Sequence, residues 1–249
     1  MRVTLLGTGT LVPEADRAST GLLVEGAGLT LPIDLGRGVL NRMVEAGTDP
    51  LRQEHFFFTH LHADHSSDLV GLLFALRNAR QEASPVDLFG PAGLAELVAR
   101  IGSAWPSTTP DYPLRVHETG GGCLIDVGLR VEACPVHHGG HPALGFRIIE
   151  QATGRVFAFT GDSGPGPDLV RLAEGAHLLV AECGDGLAPR RGRHLDTESL
   201  IELVEAARVG RVAVVHLDPR NDRDAVLGRL TERLGNRLIE GRDGLRLEV

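Results

Sequence analysis

The chain has few cysteines and no long apolar run, and both absences narrow the classes of protein to which it can belong. Its three cysteines, Cys123, Cys134 and Cys183, are widely spaced and odd in number. They indicate neither a disulfide framework nor a paired-thiol zinc site, so small core positions are their expected role. No stretch is apolar enough for a membrane span, and no charged leader with a signal-peptide core is present. We therefore expect a cytoplasmic protein without a membrane partner.

Basic residues are outnumbered by acidic ones. The chain has 25 Lys and Arg residues against 33 Asp and Glu residues, which gives a formal net charge of -8. Because phosphate contacts need basic side chains, this balance disfavours a broad surface for extended nucleic acid. The length of 249 residues and the apolar fraction of 42% are ordinary for an α/β protein. One domain spanning residues 1–249 is predicted, and a homodimer is compatible with the sequence.

Histidine, in contrast, is concentrated in one short segment. Residues 59–65 read THLHADH and contain four good metal ligands: His60, His62, Asp64 and His65. In an extended loop His60 and His62 project to one side, and the two later ligands project differently as the chain turns. The segment can therefore serve two neighbouring cations. Imidazole and carboxylate suit zinc, and also iron or manganese. The alternative is a polar loop whose histidines only form hydrogen bonds, but dense clusters are typical of metal sites.

The sequence around this segment predicts a strand before it and a helix after it. Residues 55–59, HFFFT, form a short apolar run that is typical of a buried strand. Residues 66–80 have leucines at helical spacing. The ligands are therefore expected at the carboxyl end of a strand, where the sites of α/β proteins collect.

The THLHADH segment resembles the HxHxDH signature of the metallo-β-lactamase-fold hydrolases, a family that binds two metal ions between paired β-sheets. Residues 2–10, RVTLLGTGT, are similar to the strand and LGTG turn that open its ribonuclease Z-like branch. This turn is not a phosphate-binding P-loop, since the lysine of that motif is absent. The resemblance covers nearly the whole chain. It implies a four-layer αββα sandwich, with two mixed sheets face to face and helices outside.

The resemblance also implies ligands at later strand ends. The family pattern of a histidine followed by Gly-aromatic-Arg falls on residues 137–147, HHGGHPALGFR, where His138 has the best spacing and His137 and His141 remain alternatives. Apolar strands then end at the expected bridging aspartate, Asp162, and at the expected last ligand, His216. The implied set has two groups of three joined by Asp162: His60, His62 and His138, and Asp64, His65 and His216.

The resemblance gives two further residues a role. Asp34 is expected to orient a metal-binding histidine, with capping of a helix over residues 37–46 as an equal alternative. His194 lies in a segment similar to the one that precedes the last ligand in ribonuclease Z-like proteins. There, a histidine contacts the scissile phosphate or protonates the leaving oxygen. The alternative is a loop histidine beside an N-cap formed by Asp196 or Thr197.

The implied chemistry is hydrolysis by a hydroxide held between two cations. Zinc is expected, with manganese or iron as alternatives. Asp64 is expected to orient the hydroxide and accept its proton, and His194 to protonate the leaving oxygen. A basic run at Arg190, Arg191 and Arg193 is either a small phosphate-binding patch or a solvated loop.

The expected substrate is a small anionic molecule, a phosphodiester. Relatives that process tRNA carry a long arm between the third and fourth ligand segments, whereas residues 146–159 leave room only for a hairpin around residues 151–154. Processing of tRNA 3′ ends and hydrolysis of a lactone or ester are alternatives. Lactonases of this fold place a tyrosine near the metals, but Tyr112 is far from the ligand segments in the sequence. A non-catalytic metal-binding module is the alternative from a different class.

Overall fold

The structure of the protein, a computed structural model, describes residues 1–81, 84–187 and 192–249. Arg190 and Arg191 of the predicted basic patch lie outside the described residues. Two seven-stranded sheets form the centre of the molecule. No helix in the described part of the chain is long and apolar enough to cross a membrane.

The first sheet has the strand order β14-β1-β2-β3-β4-β5-β6. Its strands are β1 (Arg2–Gly7), β2 (Gly21–Gly26), β3 (Leu29–Ile33), β4 (His55–Phe57), β5 (Val86–Gly90), β6 (Leu114–Glu118) and β14 (Arg246–Glu248). Strands β3 to β6 are parallel, and β14, β1, β2 and β3 pair antiparallel. The last strand of the chain therefore completes the sheet that the first strand begins.

The second sheet has the order β13-β12-β11-β10-β9-β8-β7. Its strands are β7 (Gly122–Val127), β8 (Leu129–Pro135), β9 (Leu144–Glu150), β10 (Arg155–Phe159), β11 (Leu178–Glu182), β12 (Arg211–Val215) and β13 (Leu238–Glu240). Strands β10 to β13 are parallel, and β7 to β10 pair antiparallel. Both sheets are thus mixed.

Helices cover the outer face of each sheet. The helices of the first half are α1 (Val39–Glu45), α2 (Ala63–Ser66), α3 (Leu69–Ala79) and α4 (Leu94–Ala104). Those of the second half are α5 (Pro167–Ala173), α6 (Thr197–Ala206) and α7 (Arg223–Leu234). Buried leucines of α3 pack against the first sheet, and those of α5 and α6 pack against the second. The leucine spacing thus predicted α3, which begins three residues later than expected because the short α2 precedes it.

The central strands are apolar on both faces, because each sheet lies between helices and the other sheet. On β4, Phe57 packs between the sheets, while Phe56 packs beneath the helices. On β12, Ala213 and Val215 face the other sheet and Val214 faces the helices. This explains why the strand that precedes the histidine segment is a continuous apolar run rather than an alternating one. The predicted αββα sandwich is confirmed.

Two smaller predictions have different outcomes. Strands β9 and β10 are joined by residues 151–154 alone, so the predicted tight hairpin is confirmed.

Cys183 is buried, as expected of a core cysteine, and Cys134 is partly buried. Cys123 is exposed, so the prediction of a core position is wrong for this residue. It lies on β7, the edge strand of the second sheet, whose outer positions have no covering layer.

Candidate metal centre and active site

The predicted ligands come from strand ends of both sheets and meet at one end of the sandwich. His60 and His62 follow β4 of the first sheet, and Asp64 and His65 lie in α2 directly after them. In the second sheet, His138 follows β8, Asp162 follows β10 and His216 follows β12. Because parallel strands end at a common edge, residues far apart in the chain come within contact distance there.

The first group of side chains has its ring nitrogens pointing at one another. His60 Nε2 lies 3.0 Å from His62 Nδ1, which lies 3.2 Å from His138 Nε2. Donor atoms about 2.0–2.1 Å from a tetrahedral Zn²⁺ are separated by about 3.3–3.4 Å, so the spacing is close to that of shared ligands. One potential ligand atom from each of His60, His62, His138 and Asp162 lies within 4.8 Å of the others. The group is compact enough to hold one cation.

A second group lies beside the first and consists of Asp64, His65 and His216. Nε2 of His216 is 3.3 Å from Asp64 Oδ2 and 3.5 Å from Asp162 Oδ2. Nε2 of His65 is 3.3 Å from Asp162 Oδ1. His60 of the first group also approaches Asp162, at 3.8 Å. Asp162 therefore lies between the two groups, as expected of a residue shared by two cations.

Burial favours the neutral form of the first three histidines. It lowers the pKa of His60 to about 2, and it lowers the pKa of His62 and of His138 as well. Only the neutral imidazole has a free lone pair for a metal. These three side chains therefore need no deprotonation near neutral pH before they bind a cation.

The two aspartates, Asp64 and Asp162, are ionised because interactions with neighbouring histidines outweigh the effect of burial. Burial alone would raise the pKa of Asp162, but the charges of His216 and His65 outweigh it and hold the pKa well below its usual range. Burial of Asp64 is likewise outweighed by the hydrogen bond from His216 and the charge of His65, so its pKa falls to about 2. Both carboxylates are thus ready to bind a cation or accept a proton.

The donor set passes a direct test of fit to a metal ion. His65 Nε2 is fully buried and, although it lies 3.3 Å from Asp162 Oδ1, it forms no hydrogen bond of good geometry with any described residue. A buried polar atom without a partner costs free energy, and such atoms are rare in folded proteins. Here the atom faces Asp162 and adjoins the other donors, so a cation between these groups would satisfy it. Imidazole and carboxylate together suit Zn²⁺, Mn²⁺ or iron.

Asp34 supports the histidine segment from behind. Its Oδ2 accepts a hydrogen bond from His65 Nδ1 at 2.8 Å, which leaves Nε2 to face Asp162. The same carboxylate accepts bonds from the backbone and hydroxyl of Thr59 at 2.7 Å each. Helix α1 has Gly38 at its N-cap, and it is the carboxylate of Asp68 that accepts from the backbone of Gly38 and Leu40, so the capping alternative for Asp34 is wrong. Carboxylate-to-histidine contacts of this kind fix the ring orientation of metal ligands.

Two of these residues have strained backbones. Asp34 has φ 60° and His216 has φ 52°, in the left-handed region that few residues other than glycine adopt. Such conformations cost on the order of 1–3 kcal/mol and persist where the surrounding structure enforces them. They occur here at His216, a predicted ligand, and at Asp34, which bonds His65, so the geometry of this site is maintained against a local cost.

His194 lies beside the two groups of predicted ligands, which we call the metal groups. It is paired with Glu182, a residue that the sequence analysis missed. Its Nδ1 is 2.9 Å from Oε1 of the buried Glu182 and 3.9 Å from Oδ2 of Asp162. Burial alone would lower the pKa of His194, but the hydrogen bond and charge of Glu182 raise it to about 9. Asp196 caps α6 through Ser199 N at 2.8 Å, so the predicted N-cap beside His194 is also present.

Glu182 is the last residue of β11, a position equivalent to that of the other strand-end residues. Burial raises its pKa, and its carboxylate accepts backbone hydrogen bonds from Ser163 at 2.8 Å and Gly184 at 2.7 Å. The only sequence signal was an acidic residue after a buried apolar strand. His194, Asp162 and His216 form a third compact grouping. However, His194 Nδ1 is engaged by Glu182, which leaves Nε2 as its free nitrogen.

The two alternatives to His138 lie outside the metal groups. His137 and His141 are exposed, whereas His138 is buried and belongs to the first group. The ring of His141 is 4.9 Å from that of His62, so it borders the site without joining either group of described residues. Nδ1 of His138 bonds the carbonyl of Arg193 at 2.9 Å. The structure thus brings together all seven predicted ligands.

A cavity of about 610 Å³ opens beside His194 and His216. Thr10, Leu11, Arg193, Arg220 and Asn221 are among its other lining residues. Its volume is within the range of about 300–1,000 Å³ that is usual for small-molecule sites. A molecule larger than a single phosphate therefore fits next to the metal groups.

Comparison with known proteins shows which family this chain resembles. Residues 38–217 match the family described as Beta-lactamase superfamily domain. Ribonuclease Z from Mycobacterium sp. (strain KMS) is 34% identical over 243 residues, which cover 88% of this chain and 85% of that protein. Ribonuclease Z from Methanothermobacter thermautotrophicus is 27% identical over 91% of this chain and 90% of its own length.

Solved structures share the whole fold at lower identity. The metallo-beta-lactamase fold protein YhfI from Bacillus subtilis superposes with a TM-score of 0.85 at 19% identity, over 100% of this chain and 98% of that one. The short form of human tRNase Z has a TM-score of 0.80 at 22% identity, over 100% and 99%. At these identities the structural likeness supports the fold alone.

Proposed function

The chain is a metal-dependent hydrolase that belongs to the metallo-β-lactamase superfamily and is related to ribonuclease Z, and on this basis we propose that it cleaves a small phosphodiester at a centre of two divalent cations. The observation that carries the proposal is the position of Asp162 between two compact ligand groups, because its carboxylate is approached by side chains of both groups. One cation is assigned to His60, His62 and His138, and the other to Asp64, His65 and His216, with Asp162 shared. Zinc fits this donor set best, with manganese or iron as alternatives.

The metal ions and the protein side chains have separate tasks in this proposal. When bound, two neighbouring cations polarise a phosphoryl oxygen and lower the pKa of water toward about 7, so that a nucleophile exists at neutral pH. Asp64 and Asp162 stay ionised and can accept a hydrogen bond from the attacking water and later its proton. The buried Asp34 holds His65 in the tautomer that presents Nε2 to the site.

His194 is assigned the role of general acid. Glu182 engages its Nδ1 and favours the charged imidazolium, so Nε2 carries a proton that it can donate. Its place on the rim of the cavity suits transfer of this proton to a leaving oxygen. Glu182 is buried and is not itself among the residues that line the cavity, but it contacts the lining residue His194, so it acts on the reaction through His194.

A small substrate is favoured over tRNA by two observations. The turn of residues 151–154 leaves no long arm between the Asp162 segment and the His138 segment. The net charge of -8 also opposes broad contact with a polyanion. Processing of tRNA 3′ ends remains the second candidate, because curated relatives named ribonuclease Z match over 85% of their own length. Lactone hydrolysis has no comparable support, since Tyr112 packs against the core beneath the first sheet, away from the metal groups.

The test compares specificity constants of the metal-replete protein for three substrates: p-nitrophenyl thymidine 5′-phosphate, a precursor tRNA and an acyl lactone. We expect the nucleotide diester to be cleaved with the highest kcat/KM, and the activity to be lost on chelation and recovered with metal. A kcat/KM for precursor tRNA that exceeds the diester value by orders of magnitude would instead support tRNA processing. Cleavage of the lactone alone would retain the fold and metal centre but reject the phosphodiester.

A further inference from the structure

Among the residues that the structure describes, Arg193 and Arg220 line the cavity beside His194, and they differ in what they contact. The guanidinium of Arg220 is held by Asp218, with Nε 2.9 Å from Oδ1 and 3.0 Å from Oδ2. Arg193 is exposed, and among the residues that the structure describes no carboxylate forms an ion pair with it. Of these two arginines, Arg220 is therefore neutralised within the protein, whereas Arg193 has no carboxylate partner in the described part of the chain and is available to an anion from solution.

The backbone at Arg193 is held in place, although its side chain forms no ion pair with residues 1–81, 84–187 or 192–249. Its carbonyl accepts the hydrogen bond from Nδ1 of His138, a residue assigned to the metal centre. The arginine stem lies against Gly139, since a Cβ at this glycine would be 3.0 Å from Cγ of Arg193. The preceding residue, Gly192, is also closely packed against a glycine. A Cβ at Gly164 would lie 2.2 Å from the carbonyl oxygen of Gly192. The segment thus presents Arg193 at a defined distance from the metal groups.

The size of the cavity shows that a substrate can extend beyond its reacting phosphate. About 610 Å³ is far more than one phosphate occupies, and the cavity reaches from His194 and His216 to Arg193. A guanidinium binds phosphate through paired hydrogen bonds of fixed geometry. An arginine that lines this cavity and has no carboxylate partner among the described residues is therefore suited to a second anionic group on the same molecule.

We propose that Arg193 is a specificity-determining residue, which binds a terminal phosphate on a phosphodiester substrate while the scissile diester lies at the metal centre. This inference rests on the proposed function and adds a substrate class to it: small diesters that carry a second, non-reacting phosphate. Arg220 has no part in this recognition, because Asp218 already occupies its guanidinium.

The test uses two substrates with the same scissile bond and leaving group. One is p-nitrophenyl thymidine 5′-phosphate, and the other is the same ester with an added 3′-phosphate. The wild-type protein is expected to prefer the 3′-phosphorylated ester. Arg193→Ala should lower this preference, measured as the ratio of the two kcat/KM values, by about 10- to 100-fold and mainly through KM. Arg193→Lys should restore part of the ratio, since it returns the charge without the paired donors.

The matched control is Arg220→Ala, which removes the same charge from the same cavity and is expected to keep the wild-type ratio. An unchanged ratio in Arg193→Ala, or an equal loss in Arg220→Ala, would overturn the assignment. If neither ester is cleaved, the proposed function fails, but the inference is still decided by calorimetry. Wild-type protein should bind thymidine 3′,5′-bisphosphate more tightly than thymidine 5′-monophosphate, and Arg193→Ala should lose that difference. Equal binding by the wild type would reject it.

Discussion

At the scale of single residues, the proposed reaction depends on how His194 is held relative to the two ligand groups. Its Nδ1 is bound to Glu182 and its ring lies 5.0 Å from that of His138 and 5.7 Å from that of His216. It is therefore close to the proposed ligands without needing to be one of them. A side chain in this position can act on the leaving oxygen and leave metal binding to the other histidines.

Replacement of His194 separates these two roles. His194→Ala is expected to lower kcat by roughly 10²–10⁴-fold, as for other general acids, while the metal content per chain stays unchanged. Glu182→Gln keeps the shape of its side chain but removes the charge that favours the imidazolium, so a smaller loss in the same direction is expected. Steady-state kinetics and elemental analysis of the same preparations measure both. Loss of metal from His194→Ala would show that this histidine is a ligand.

The residues that could be predicted from sequence share a local signature. Asp162 and His216 each end a buried apolar strand, and His138 was favoured over His137 by its spacing to Gly-Phe-Arg. Glu182 has the strand-end signature too, but its significance depends on contact with His194, twelve residues further along the chain. Nothing in the local pattern fixes such a contact. The roles of the seven ligands and of His194 stay predictions until a metal is bound.

At the scale of elements, the segment that carries Arg193 and His194 is anchored by the start of α6. Asp196, the N-cap of this helix, is buried and accepts hydrogen bonds from the backbone and hydroxyl of Ser199 at 2.8 and 2.7 Å. The helix spans Thr197–Ala206 and so begins directly after this cap. The apolar periodicity reports the buried face of a helix, whereas the cap decides where the helix begins.

Loss of this cap should affect both stability and catalysis. Asp196→Ala is expected to lower the free energy of unfolding by about 1–2 kcal/mol, as for other N-cap losses, and also to lower kcat because His194 lies two residues before the cap. The control is Asp222→Ala. Asp222 is the exposed N-cap of α7 and accepts from Ala225 N at 3.0 Å, so its loss should cost stability alone. Denaturant unfolding and kinetics of both variants provide the comparison. Equal kinetic effects would show that the α6 cap does not position His194.

At the scale of the whole molecule, the candidate metal centre is built from both halves of the sandwich. Four of the proposed ligands belong to the first sheet and α2, and three belong to the second sheet. The fold was largely predictable because each half has apolar strands alternating with amphipathic helices. The pairing of β14 with β1 was not, since Arg246–Glu248 is too short to carry a pattern and is specified by its place beside the first strand. The homodimer and the cytoplasmic location stay predictions.

A centre that joins the sheets should stabilise the folded chain when metal is bound. Ligand that binds only the folded state adds about 2.7 kcal/mol at 100 times its Kd, which corresponds to about 5–10 °C in Tm for a chain of this length. Chelation is therefore expected to lower Tm by at least this amount, and added Zn²⁺ to restore it. His60→Ala, which removes one ligand, should show a smaller difference on calorimetry. An identical Tm with and without chelator would contradict a metal bridge between the sheets.

The most direct test of the central claim is the number of metal ions bound per chain. Elemental analysis of the metal-replete wild-type protein, of His138→Ala and of His137→Ala measures this number. The predicted result is two cations in the wild type and in His137→Ala, whose side chain is exposed, and about one in His138→Ala. A wild-type protein that binds at most one cation, or a loss of metal in His137→Ala but not in His138→Ala, would contradict the account.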